Sequence, residues 1–313
     1  MPLSDKTLSQ ETVLVTGSEG FTGRYLVKAL QQQGAKVVGA GQSAPNTALP
    51  YEYHVMDLED PGSIRQVVLQ VQPSRVIHLA ALAFVGHEDA AAFYRVNLIG
   101  TRHLLESLAC LPDKPTQVIL ASSANVYGNN EADKISEQQP LSPQNDYAVS
   151  KLAMEQMARL WQDRLPITLV RPFNYTGRGQ ASNFLVAKIV EHFKNKSAVI
   201  ELGNLDVSRD YTDVRDLVAA YMGIVQRDVT GQTLNICSGE VWSLQQIIDH
   251  CIQLTGHPIR VEVNPDFVRS NEIKRLCGDN ALLDELIGPA WRSLTMNDTL
   301  AWMLDESETS STI

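Results

Sequence analysis

Tyr147 and Lys151 stand four residues apart in NDYAVSKLAMEQMARLW. On a helix that spacing puts a phenol and an ammonium on one face, where both can address one ligand. The chemistry implied is proton transfer. A phenol with an ordinary pKa of about 10 is a poor acid or base at neutral pH, and a neighbouring ammonium favours its ionised form and draws it towards the working range. Ser123, in SSANVYG, would steady an oxygen at which charge changes, as an oxyanion donor. The bland alternative for Ser122 and Ser123 is a turn after a strand.

A second constellation precedes the first. Gly17, Gly20 and Gly23 fall three apart in VTGSEGFTG. Each spares a side chain where one would obstruct a sharp turn, the approach of backbone N–H groups to a pyrophosphate, or helix-on-strand packing. The anion would sit at the helix N-terminus, where unpaired N–H groups and the helix dipole favour negative charge. The alternative is a tight βα turn in any α/β domain. An NAD site usually offers an acid to the ribose about 20 residues beyond the glycines, yet nothing acidic occurs between Ala35 and Tyr51. That absence leans towards NADPH or towards no strong preference between NADPH and NADH. Arg24 is a candidate partner for a 2′-phosphate, or else a solvated helix arginine.

These groups need a scaffold, and the hydrophobic pattern supplies one. β-Branched runs predict strands over residues 12–15, 36–40, 51–55, 75–80, 117–121 and 167–171, with helices between them over 21–30, 61–71, 89–110 and onward from 146. Such alternation predicts a doubly wound parallel α/β sheet of the Rossmann type, with a smaller C-terminal lobe. Asp57 either receives the adenine amino group or caps the helix ahead of Pro61. Ala80 and Ala81 leave room for cofactor at a strand end, and His78 inside its strand reads as a core histidine. Asn97 falls mid-helix, where Asn is a poor helix former. Farther on, Pro172 ends a strand and Asn174 lies in the following loop. Asp213 caps a helix over 214–225, and two more helices cover 243–255 and 280–304 around a strand at 259–263. Residues 1–11 and 306–313 read as polar tails.

Composition narrows the class. The chain has 313 residues, 44% of them apolar, with a net charge of -10. No basic cluster offers a nucleic-acid footprint. No apolar run approaches the roughly 18 residues of a membrane span, and no signal segment opens the chain, which predicts a cytoplasmic protein. Cys110, Cys237, Cys251 and Cys277 lack metal spacing and read as reduced, mostly buried thiols.

In order and separation, TGSEGFTG, Asp57, HLAA, SSANVYG, YAVSK and RPFN resemble the extended short-chain dehydrogenase/reductase family that acts on nucleotide sugars. Within it, GNLDVSRDYTDVRDLVAAY, LNICSGE and VRSNEIKRLCGDNALL are most similar to GDP-4-keto-6-deoxy-D-mannose reductases, which make GDP-D-rhamnose. The resemblance implies a cofactor, NADPH or NADH, contacted by Gly17, Gly20, Phe21, Thr22, Gly23, Arg24, Asp57, Leu58, Leu79, Ala80, Ala81, Tyr147 and Lys151. It implies Ser123, Tyr147 and Lys151 as the catalytic trio, and a GDP-sugar held by Ser123, Asn174, Lys188, Arg209 and Arg269, without metal. For Arg209 the residues alone leave open a surface pair with Asp210 or Asp213. The implied division is a dinucleotide domain over 1–173 and a sugar-nucleotide lobe over 174–313, with part of 211–240 returning to the first. A homodimer through the helices at 89–110 and 148–161 is implied as well. Family members that dehydrate a hexose carry an acid just after the catalytic hydroxyl; here Ala124 and Asn125 occupy those places, so simple hydride transfer to a ketone is favoured. The alternatives are a 4-epimerase with tightly held NAD and a non-catalytic dinucleotide-sensing regulator.

Overall fold

The computed structural model of the chain describes residues 8–83, 89–227, 229–268 and 273–305. Strands and helices alternate from the start: β1 (Thr12–Thr16), α1 (Phe21–Gln32), β2 (Lys36–Gly41), β3 (Glu52–Val55), α2 (Pro61–Val71) and β4 (Arg75–His78). The next helical stretch comprises α3 (Ala90–Phe93), a π-helical segment at Tyr94–Gly100, and α4 (Thr101–Ala109). Then come β5 (Gln117–Ala121), α5 (Asp146–Arg159), β6 (Ile167–Pro172), β7 (Asn174–Thr176), α6 (Leu185–Lys194), β8 (Val199–Leu202), β9 (Ser208–Asp213), α7 (Val214–Gln226) and β10 (Thr233–Ile236). The chain closes with β11 (Val241–Ser243), α8 (Leu244–Thr255), β12 (Arg260–Val263), β13 (Arg275–Leu276), α9 (Ala281–Ile287) and α10 (Met296–Leu304).

Seven parallel strands form one sheet in the order β10-β6-β5-β4-β1-β2-β3. The order turns back between β1 and β4, and in open α/β sheets the crevice beyond the carboxyl ends at that switch point receives the ligand. The sheet is buried on both faces because its strands alternate between two cores. Val13 and Val15 pack with Leu26, Leu30, Leu217 and Tyr221 under α1 and α7; Leu14 packs with Ile64, Leu104 and Met154 under α2, α4 and α5. A separate core gathers Phe193 of α6, Ile247 of α8 and Leu300 of α10 over β8 and β9. There β9 pairs with β7, β11 and β13, while β12 pairs with β8. No helix among the described residues is long and apolar enough to cross a membrane.

Several expected elements are revised. The helix over 89–110 is interrupted by the π segment, which holds the buried Asn97; the Asn97 side chain accepts from the Leu82 amide (2.9 Å) and donates to the Leu82 carbonyl (3.0 Å) and to Ser150 Oγ (3.1 Å). π Turns often mark functional sites. The helix over 280–304 divides where Gly288 takes φ +78 ahead of Pro289, a stop signal in the sequence. A Thr295–Asp298 capping box then starts α10. Asn174 opens β7 rather than sitting in a loop. The cap of α2 is Asp60, whose carboxylate accepts from the Gly62 amide; Asp57 instead accepts from the Glu59 amide. Leu8, assigned to a loose tail, is buried in the core. Cys110 is exposed, whereas Cys237, Cys251 and Cys277 are buried free thiols.

Candidate active site

Gly17 begins the turn after β1 with φ +69, and a Cβ there would lie 2.9 Å from the Ala80 backbone nitrogen at the end of β4. Its amide donates to the Ala40 carbonyl of β2 (2.7 Å). The turn is thus clamped between two strand ends, and only glycine tolerates both the conformation and the closeness. At Gly23 a Cβ would overlap the Gly17 carbonyl, so α1 lies directly on the turn. Gly20 precedes α1 without any side-chain cap, which leaves first-turn N–H groups to face an anion. Phe21 and Thr22 open the helix; Leu58 is buried, and Leu79, Ala80 and Ala81 are half-buried just beyond β4. Arg24 is exposed and its guanidinium donates to the Gly179 carbonyl (3.3 Å).

α5 begins at the Asn145 cap, whose side chain accepts from the Ala148 amide at 2.9 Å. Tyr147 and Lys151 follow on its buried face, 8% and 4% exposed. The Ser123 hydroxyl beyond β5 favours the ionised form of the Tyr147 phenol, and Phe93 meets the Tyr147 ring edge-on with centroids 6.0 Å apart. Lys151 Nζ donates to the Ala121 carbonyl at the end of β5 (2.8 Å). The expectation that Lys151 depresses the Tyr147 pKa is not met in this structure. Burial dominates and pushes the phenol up to about 12, with the Ser123 hydroxyl the one influence pulling it down. Burial also lowers Lys151 to about 8, against the opposing charge of Glu155.

Tyr175 of β7, which no sequence signal marked, packs against the start of α1. It accepts a hydrogen bond from Thr22 Oγ1 at 3.2 Å and stacks on Phe21 with centroids 6.0 Å apart. His78 is buried between the hydroxyls of Thr16 (2.7 Å) and Thr101 (3.0 Å), and burial lowers it to about 3, so it is neutral at working pH.

Beneath the site lies a charge pair that the sequence did not announce. Glu155, one turn beyond Lys151, receives Arg171 Nε (2.9 Å) and Nη2 (2.6 Å) and the Ser122 hydroxyl (2.5 Å). Arg171 also donates to Tyr127 Oη (2.8 Å), which in turn donates to Asn235 (2.7 Å).

The residues expected to hold the sugar nucleotide are spread over the second core. Asn174 pairs with Tyr211 between β7 and β9, which places it on the strand adjoining Arg209. Arg209 is buried rather than at the surface and donates to the Ser208 carbonyl (3.0 Å). Asp210 instead gathers Ser238, Gly239 and Gly278, and Asp213 binds Arg215 and Thr299. Lys188 on α6 donates to the Glu201 carbonyl (2.8 Å) and lies 4.5 Å over the Phe267 ring. Arg269 lies outside the described residues. Among those residues no His, Cys, Asp and Glu cluster could hold a metal.

The model of the family described as GDP-mannose 4,6 dehydratase matches residues 14–301. The chain belongs to that family. This is the nucleotide-sugar branch of the extended short-chain dehydrogenase/reductases. A GDP-6-deoxy-D-talose 4-dehydrogenase of Aggregatibacter actinomycetemcomitans is 35% identical over 93% of this chain and 96% of its own. A GDP-6-deoxy-D-mannose reductase of Pseudomonas aeruginosa is 30% identical over 95% and 97%. Among solved structures, a Burkholderia cenocepacia protein provisionally designated an epimerase superposes with a TM-score of 0.86 at 41% identity, covering 95% of this chain and 98% of its own. The Pseudomonas aeruginosa protein RMD, solved with NADPH, gives 0.80 at 28% identity, covering 94% and 98%. The family and relatives make the chain a nucleotide-sugar oxidoreductase of the NAD(P)-dependent type.

Proposed function

We propose that the chain reduces the C4 ketone of a GDP-4-keto-6-deoxyhexose to a GDP-6-deoxyhexose, using a reduced nicotinamide dinucleotide. One observation carries the reading: Tyr147 and Lys151 lie on the buried face of α5, where Lys151 is tied to the Ala121 carbonyl at the end of β5, the strand that leads into Ser123, in the same parallel sheet whose β1 runs into the glycine turn. The names of two relatives support the substrate. 6-Deoxytalose and 6-deoxymannose differ only at C4, so both derive from one 4-keto sugar. The solved relative that holds NADPH supports the cofactor class.

The clamped turn and uncapped helix suit a pyrophosphate at Gly17, Gly20, Phe21, Thr22 and Gly23, with Asp57, Leu58, Leu79, Ala80 and Ala81 around the rest of the dinucleotide. When bound, the cofactor supplies hydride to C4. Tyr147 gives its proton to the C4 oxygen, and its raised pKa keeps that proton in place until alkoxide character develops. Ser123 donates a hydrogen bond to the same oxygen. Lys151, anchored at the end of β5, keeps positive charge beside the ribose. With Ala124 and Asn125 after Ser123, the turn presents no carboxylate for removing a proton from the sugar ring, so elimination is disfavoured despite the family's name.

On this reading residues 1–173 hold the cofactor. Residues 174–313 mainly hold the sugar nucleotide through Asn174, Lys188, Arg209 and Arg269, with part of 211–240 returning to the cofactor lobe through α7 and β10. The exposed Ile99, Val149 and Leu160 support a homodimer through those helices. A 4-epimerase is the second reading, favoured by the Burkholderia structure. Incubating the protein with reduced cofactor and a panel of 4-keto nucleotide sugars separates them. Stoichiometric loss of reduced-nicotinamide absorbance with a GDP-4-keto-6-deoxyhexose supports the reductase, and identifying the sugar fixes the face of C4. Cofactor that survives purification, with no net consumption, supports the epimerase.

A further inference from the structure

The usual acid at the end of the second strand is missing, but the structure brings another to the same corner. Glu19, inside the glycine turn, receives the hydroxyl of Tyr51. The Tyr51 ring sits where a Cβ on Gly39 of β2 would fall. The Tyr53 hydroxyl lies against Gly41, the last residue of β2, and donates to the Ser43 carbonyl (2.8 Å). The Glu19 charge bears on both phenols. The carboxylate thus stands over the carboxyl ends of β1 and β2, where a Rossmann sheet receives the adenosine ribose.

Residues 37–50 contain no Lys or Arg. Lys36 is at the far end of β2, paired with Glu52 at 3.6 Å. Arg24, the sequence candidate for a 2′-phosphate, donates to the Gly179 carbonyl. A 2′-phosphate would carry about 1.5 to 2 negative charges and would meet a carboxylate, whereas a ribose 2′-hydroxyl can donate to that carboxylate.

We propose that Glu19 selects NADH over NADPH by accepting the adenosine 2′-hydroxyl and repelling the 2′-phosphate. The proposal rests on the reading of this cleft as a nicotinamide dinucleotide site. It replaces the lean towards NADPH, and it separates this chain from the relative solved with NADPH.

The test is direct binding of NADH and of NADPH to the whole protein, followed by nicotinamide fluorescence and by calorimetry without sugar substrate. NADH is expected to bind at least about tenfold tighter at low salt, with the gap closing as ionic strength screens the repulsion. Glu19→Gln keeps an acceptor for Tyr51 and removes the charge. It is expected to bring the two affinities within about threefold, chiefly by improving NADPH. Equal or tighter NADPH binding by the wild type, or an unchanged ratio in Glu19→Gln, overturns the proposal while leaving the dinucleotide reading intact. Failure of both cofactors to bind the folded protein overturns both.

Discussion

Glu155→Gln tests how the core beneath the site sets its chemistry. Glu155 and Arg171 are 0% and 2% exposed and meet through two hydrogen bonds. The amide preserves size but removes the charge that compensates a buried guanidinium. Breaking one partner of such a pair costs about 3–5 kcal/mol. At about 2.1 cal/mol/K per residue the 313-residue chain unfolds with about 0.66 kcal/mol/K, so Tm should fall by about 5 to 8 °C. The double variant Glu155→Gln/Arg171→Met removes both charges and should recover more than half of that loss. The kinetic consequence has a definite sign. Lys151 titrates at about 8, below its ordinary 10.5, and Glu155 is the charge holding it up. The proposed mechanism uses the ammonium, so on it wild-type kcat/KM should fall as pH rises through about 8, and in Glu155→Gln that limb should move to lower pH. The folded chain binds fewer protons than the unfolded one between about 8 and 10.5, so Lys151 makes stability rise with pH across that window. The assays are differential scanning calorimetry and a kcat/KM profile from pH 6 to 10. A Tm shift under 1 °C, or a limb that stays in place, refutes the reasoning.

Tyr147→Phe should lower kcat by about 10² to 10⁴ while leaving cofactor affinity within about threefold; unchanged turnover removes Tyr147 from the mechanism. Gly17→Ala combines strain at φ +69 with the approach to Ala80 and should weaken cofactor binding at least tenfold, as read by calorimetry. Asn97→Leu strands the Leu82 amide and carbonyl, at about 1–3 kcal/mol for each group, and should show as a lower urea midpoint; an unchanged midpoint would mean that those groups find other partners.

Much of the seven-stranded sheet was legible because its signals are local. β1, the glycine turn and α1 occupy one short run of sequence, and each strand of the large sheet is a β-branched run that needs no distant partner to be recognised. The Gly288-Pro289 break was equally local, though the apolar spacing on either side conceals it. So is α6, whose residues Leu185, Val186, Ile189, Val190 and Phe193 follow helical spacing that the sequence reading passed over. Asn97 stood out as a poor helix former, but its service to Leu82 and Ser150 depends on a loop and a helix distant in sequence.

By itself the sequence determined the parallel α/β class, the glycine turn and the placing of Tyr147 and Lys151 on one helical face, because glycine freedom, strand periodicity and helical spacing act over a few residues. Tertiary structure alone decided which charges meet. Glu155 and Arg171 are 16 residues apart, Tyr175 reaches Thr22 across 153 and Tyr51 reaches Glu19 across 32. Desolvation then governs these groups, raising Tyr147 and lowering Lys151. Burial is a property of the packed whole, which no spacing of residue types encodes.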